Sequence, residues 1–142
     1  MTCNHLFQEF IASDDTLRVY EGENLVFSSR KDRLLPLMEY LGRFAPQRTG
    51  VVIFDKLIGN AAALLAVKAG CREAFTPLGS ELAAQTLAKY RIAYHFTTTV
   101  PTIQRANGQD MCPMEKLSLG KGPEEFYQAM VDIIKKASAK GS

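Results

Sequence analysis

Gly50-Val51-Val52-Ile53-Phe54-Asp55-Lys56-Leu57-Ile58-Gly59-Asn60-Ala61-Ala62-Ala63-Leu64-Leu65-Ala66 decides the fold class. Its first part is an unbroken β-branched and aromatic run opened by a glycine. Such a run has no polar face to offer water, so it reads as a buried central strand. Its second part, Gly59 to Gly70, reads as an Ala-rich helix whose small side chains let it lie close to its neighbours, with Gly70 as the stop. A buried strand feeding at once into a helix is the opening of a β-α-β unit.

Downstream the alternation continues. Arg72 to Thr76 is a short strand, and Ser80 caps a helix over Glu81 to Arg91 that carries Leu82, Ala83, Leu87 and Tyr90. Ile92 to Val100 is again strand-like. Pro101 to Met111 is a polar, Gly/Asn-containing loop, Pro113 opens a short helical turn, and Pro123 starts a last helix over Glu124 to Ala137. Upstream, Leu6, Phe7, Phe10 and Ile11 give Thr2 to Ser13 the spacing of an amphipathic helix. Leu17, Val19 and Leu25, Val26, Phe27 flank Glu21-Gly22-Glu23-Asn24, which reads as a β-hairpin. Asp32 can cap a helix over Arg33 to Phe44, with Pro36 in its first turn and Pro46 and Gly50 at its exit. The expectation is an α/β fold: a three-layer sandwich on a mixed sheet, with an N-terminal β-hairpin and parallel strands. It is read as a single domain over 1–142, with 136–142 as a fraying tail.

Composition narrows the function classes. A chain of 142 residues buries roughly 70% of its unfolded surface and needs neither disulfide nor metal to fold. The 46% hydrophobic and 23% charged content is globular, and the net charge of +2, dispersed along the chain, argues against nucleic acid. Cys3, Cys71 and Cys112 form no disulfide framework. The first ten residues include Glu9 and polar groups, so no export signal is expected, and a reducing cytoplasm is the simplest setting. The longest apolar stretch, Ala61 to Val67, is far short of the ~20 residues that a membrane helix needs.

In open α/β sheets ligands bind beyond the C-terminal ends of the parallel strands. Three segments are expected there: Asp55 to Asn60, Thr76 to Ser80, and Thr99 through Cys112. In the first, Gly59 lets backbone approach a ligand or a helix, and the following helix start suits an anion such as phosphate. Lys56 can add a positive charge, and Asp55 can orient it or accept hydroxyls. The structural alternative makes Asp55 an N-cap, Lys56 a solvated lysine and Gly59 a packing glycine. The required glycines of a phosphate-binding loop or dinucleotide fingerprint are absent. In Cys112-Pro113-Met114-Glu115, Pro113 at the first helical position puts Cys112 at the N-cap, where the helix dipole favours the thiolate. Glu115 can bond backbone N–H groups or act as acid or base. The alternative is a small buried cysteine and a helix-start carboxylate. Arg105, Asn107 and Asp110 lie in a polar loop, and two histidines with three scattered cysteines give no zinc spacing.

Together Asp55-Lys56-x-x-Gly59-x-Ala61-Ala62-Ala63, Gly70, Pro101, and Asn107-Gly108 leading to Cys112-Pro113-Met114-Glu115 resemble the domain of unknown function 1893 family. The resemblance implies a cytidine deaminase-like fold, a three-layer sandwich with a hairpin followed by parallel strands. It does not carry over the chemistry. Zinc deaminases need His-x-Glu or Cys-x-Glu and Pro-Cys-x-x-Cys. No His-x-Glu occurs here, Pro113 follows Cys112, and no second cysteine lies three positions on.

The sequence therefore points to a small-ligand-binding domain for an anionic or nucleotide-like ligand, with Asp55, Lys56, Gly59 and Asn60 as binding residues and no metal or cofactor. One alternative is an enzyme using Cys112 as nucleophile or redox thiol, assisted by Glu115. Another is a non-catalytic module that assembles as a homo-oligomer.

Overall fold

A computed structural model describes the backbone of residues 2–44, 49–103 and 113–141 and the side chains of 3–44, 49–103 and 113–137. In chain order the elements are α1 (Thr2–Ala12), β1 (Leu17–Glu21), β2 (Asn24–Ser29), α2 (Leu35–Phe44), β3 (Val51–Asp55), α3 (Asn60–Lys68), β4 (Cys71–Ser80), α4 (Glu81–Lys89), β5 (Ala93–Val100), α5 (Pro113–Ser118) and α6 (Pro123–Gly141). The sheet runs β2-β1-β3-β4-β5. β1 is antiparallel to both β2 and β3, while β3, β4 and β5 are parallel. The architecture is mixed α/β, with β3 at the centre and buried at every residue.

Strand alternation divides the core into two layers. On one face Phe54 meets the rings of Phe7, Phe10, Tyr20 and Phe75 at 5.4, 5.8, 5.2 and 5.2 Å. This aromatic cluster, with Val52, fixes α1 to the sheet. On the other face Leu17, Val19, Val51, Ile53 and Ala74 pack with Leu37 and Leu41 of α2, the alanines and leucines of α3, and Phe126 and Met130 of α6. The small side chains of α3 are all buried from Asn60 to Ala66, as the Ala-rich sequence requires of a helix in close contact with its neighbours.

Several boundaries differ from the sequence expectation for local physical reasons. α2 begins at Leu35 because Arg33 adopts φ 60°, which breaks the right-handed run that an Asp32 cap would need. α3 starts after Gly59, so Asp55 is not its N-cap. The segment Thr76 to Ser80, expected as a loop, continues β4. It is paired with β5 as far as Ser80↔Val100 and bridged to Ile58 through Gly79. Pro77 interrupts this stretch, and the Thr76 hydroxyl takes the Leu78 N–H at 3.2 Å, so the irregularity costs no buried donor. α6 extends to Gly141, four residues beyond the Ala137 end read from the sequence and into the stretch read as a tail. Among the described residues no helix is long and apolar enough to cross a membrane.

Candidate functional site

β3 ends in Asp55 and the chain turns through Lys56 and Leu57 into α3. α5 lies across that turn. Together they enclose a cavity of about 310 Å³ lined by Asp55, Lys56, Gly59, Met114 and Glu115, with Leu57, Ala61, Ala62 and Ile103 supplying apolar wall and Thr16, Asp32, Arg33 and Leu34 closing one side. Thus the two segments singled out in the sequence, Asp55-Lys56-x-x-Gly59 and Pro113-Met114-Glu115, meet at one site. Cys112 lies outside the described residues, as do Arg105, Asn107 and Asp110.

Glu115 is the pivot of this arrangement. It is only 5% exposed. Its two carboxylate oxygens accept the backbone N–H groups of Asn60 at 2.8 Å and Ala61 at 2.7 Å. Those are unpaired donors at the start of α3, and a carboxylate there also meets the positive end of the helix dipole. Burial still outweighs these bonds and holds the Glu115 pKa above the usual glutamate range. The contact requires glycine at 59, since a Cβ there would stand 2.6 Å from the Glu115 carboxyl carbon and both oxygens. The donors expected to receive an external anion are therefore occupied by the protein's own carboxylate.

Asn60 and Lys56 are likewise engaged. Asn60 donates its amide to the Ser118 hydroxyl at 2.9 Å and accepts from Thr86, and Ser118 donates back to the Glu115 carbonyl at 2.6 Å. This buried chain ties α3, α4 and α5 together, so the Asn60 side chain faces that network and not the Asp55 cavity. Lys56 turns its ammonium toward α1, donating to the Ser13 carbonyl at 2.9 Å, 4.8 Å from the centre of the Phe10 ring. Sequence reasoning missed Thr86 and Ser118. The spacing of Glu115 and Ser118, one helical turn apart, was the available signal.

Asp55 is different. It is 8% exposed and lines the cavity. Oδ1 accepts a long bond from the Leu57 N–H at 3.4 Å, and among the described residues Oδ2 has no hydrogen-bond partner. Burial, opposed only by backbone bonds, pushes its pKa up to about 7. A buried carboxyl with an open oxygen in a small apolar cavity can accept a hydrogen bond from a ligand or exchange a proton with it.

The remaining groups with chemical potential lie elsewhere. His95 pairs with Glu73 at 2.8 Å and stacks on Phe75 at 4.3 Å, while His5 pairs with Glu9 on α1. Burial pushes the Cys71 thiol up to about 12, which keeps it protonated. Among the described residues no group of three or more His, Cys, Asp or Glu could hold a metal ion.

The family model of a domain of unknown function, DUF1893, matches residues 6–134. The chain belongs to the DUF1893 family. Its structure is similar to the crystal structure of the DUF1893 family protein TM1506 from Thermotoga maritima, with a TM-score of 0.83 and 26% sequence identity. That match covers 92% of this chain and 88% of the other. No curated protein matches the chain. Of the residues on which the sequence resemblance rests, Asp55, Lys56, Gly59, Ala61, Ala62, Met114 and Glu115 line the cavity.

Proposed function

We propose that this DUF1893 chain is a small-ligand-binding domain whose site is the Asp55 cavity. The observation that carries the reading is the open oxygen of a buried Asp55 in a cavity that both sequence segments line. The volume lies at the lower end of small-molecule sites, and the wall is mainly apolar with few polar groups. The ligand recognised here presents an N–H or O–H donor to Asp55 on a compact, partly apolar body. A nucleoside-like heterocycle has those features. An anionic group on the ligand is left with Arg33 at the rim, because Glu115 holds the α3 donors and Lys56 is bonded to Ser13.

The cytidine deaminase-like class is part of the same proposal. Its support is the hairpin followed by parallel strands, with helices on both faces of the sheet. The chemistry is not carried with it, since the chain has no His-x-Glu and no Pro-Cys-x-x-Cys, and its Cys-x-Glu, Cys71-Arg72-Glu73, holds a buried, protonated thiol at the start of β4.

Titration calorimetry with nucleobases, nucleosides, their 5′-monophosphates and inorganic phosphate tests the reading. Nucleoside-like donors are expected to bind without help from phosphate. Asp55→Asn, which keeps shape but reverses one oxygen to a donor, is expected to weaken binding by about tenfold or more. Affinity for a neutral or cationic ligand should rise as pH passes through about 7, where Asp55 ionises. Binding of inorganic phosphate alone, or equal binding by Asp55→Asn, would sink the proposal.

A further inference from the structure

We propose that the cleft between α4 and the turn joining α5 to α6 is a second ligand site, one that takes a hydroxylated phosphate monoester. The cleft encloses about 310 Å³ and shares no lining residue with the Asp55 cavity, so the inference is independent of that site. Buried Asn60 and Ser118 and half-buried Thr86 form its floor. Lys89, on the last turn of α4, and Lys121, in the α5–α6 turn, stand at its mouth.

The floor has spent its donors. Asn60 Nδ2 donates to the Ser118 hydroxyl at 2.9 Å and to the Ser118 carbonyl at 3.4 Å. Thr86 donates to Asn60 Oδ1, and Ser118 donates to the Glu115 carbonyl at 2.6 Å. A hydroxyl has one hydrogen and two lone pairs. Thr86 therefore keeps its acceptor positions, and Ser118, which accepts from Asn60, keeps one. Such a floor recognises a ligand that brings its own hydroxyl hydrogen.

The two lysines offer the opposite chemistry. The Lys121 side chain is anchored by the Leu117 carbonyl, 2.7 Å from its ammonium, and Lys89 Nζ stands 5.5 Å from the centre of the Tyr90 ring. An ammonium has three donors, so both lysines keep donors for a ligand. Among the described residues no carboxylate lines the cleft or pairs with either lysine, whereas Lys31 and Lys68 pair with Glu39 and Glu124. Two like charges at one cleft repel, and a dianion between them turns that repulsion into attraction. Leu64 and Leu82 add apolar wall for a short carbon chain. Anion at one end, hydroxyl at the other and a few carbons between describe the phosphate ester of a small polyol.

Amide NMR of the isotope-labelled full chain, titrated with glycerol 3-phosphate, n-propyl phosphate and glycerol, tests the proposal. Glycerol 3-phosphate should shift the Thr86 and Gly120 to Gly122 amides to saturation and leave those of Asp55 to Leu57 in place. It should bind about threefold or more tightly than n-propyl phosphate, which lacks the hydroxyls, and glycerol alone should cause no shift. Lys89→Gln and Lys121→Gln should each weaken it by about tenfold. Lys116→Gln, at an exposed lysine that lines neither cavity, should leave the affinity unchanged. Shifts that do not saturate or that centre on Asp55 would overturn the proposal. So would equal affinity for the two phosphate esters, or a loss in Lys116→Gln as large as in the other two variants.

Discussion

Glu115 and Gly59 act as one unit at the head of α3. Removing the carboxylate leaves the Asn60 and Ala61 N–H groups buried without partners, so Glu115→Ala is expected to cost about 2–4 kcal/mol of folding stability. Glu115→Gln keeps one acceptor and should cost roughly half as much. Gly59→Ala forces the carboxyl away from those donors, at about 1–3 kcal/mol. The double variant Gly59→Ala/Glu115→Ala should lose less than the sum of the two, because the added methyl then has no carboxylate to displace. Urea titrations of the four proteins measure this coupling. Strict additivity would show that the two residues act separately. This pairing also marks the limit of what the sequence tells about the site. Asp55, Gly59 and Glu115 were legible because a strand end and two helix starts are local patterns. What each one touches was not, since Glu115 bonds residues 54 and 55 positions away and Lys56 reaches back 43 positions to Ser13.

At the scale of elements, β3 and α3 were readable because an all-apolar run and an Ala-rich run each demand burial on all sides, and both are buried. β4 was read too short because Pro77 looks like punctuation. Only its two neighbours, β5 on one side and Ile58 on the other, hold the strand together past that residue. Arg33 and Arg91 adopt positive φ without a glycine to announce it, which is why the start of α2 and the end of α4 were each misplaced by two residues. The α4 start was legible and carries its own prediction. Ser80 Oγ accepts the Ala83 N–H at 3.0 Å, and Ser80 is fully buried at the junction of β4 and α4. Ser80→Ala should therefore destabilise the fold by about 1–2 kcal/mol. It should also accelerate hydrogen exchange first at the Ala83 amide. An unchanged exchange rate there would remove the cap from the account of α4.

For the whole molecule, stability as a function of pH is set by carboxyl groups of opposite sign. Asp15 is opposed by burial but bonded to Arg18 and Arg30, and the two arginines win, holding its pKa below the usual aspartate value. Its contribution is present above about pH 4 and is lost as pH falls through its lowered native value. Asp55 works the other way. Burial raises its native pKa from 3.8 to about 7. The native state then keeps a proton that the unfolded chain releases near pH 4. The stability associated with Asp55 is therefore whole below about pH 4 and is lost as pH rises through about 7. At about 1.4 kcal/mol per pH unit, the loss between pH 4 and pH 8 is about 2–4 kcal/mol. Glu115, also raised by burial, adds in the same direction. Asp55→Asn cannot ionise and can still accept the Leu57 N–H, so it should retain the fold and gain stability over the wild type with rising pH. Urea titrations of both proteins from pH 5 to pH 8 should give diverging curves, with the wild type falling more steeply. Parallel curves would mean that Asp55 reaches water in solution, and the cavity would lose the buried carboxyl on which its ligand chemistry depends.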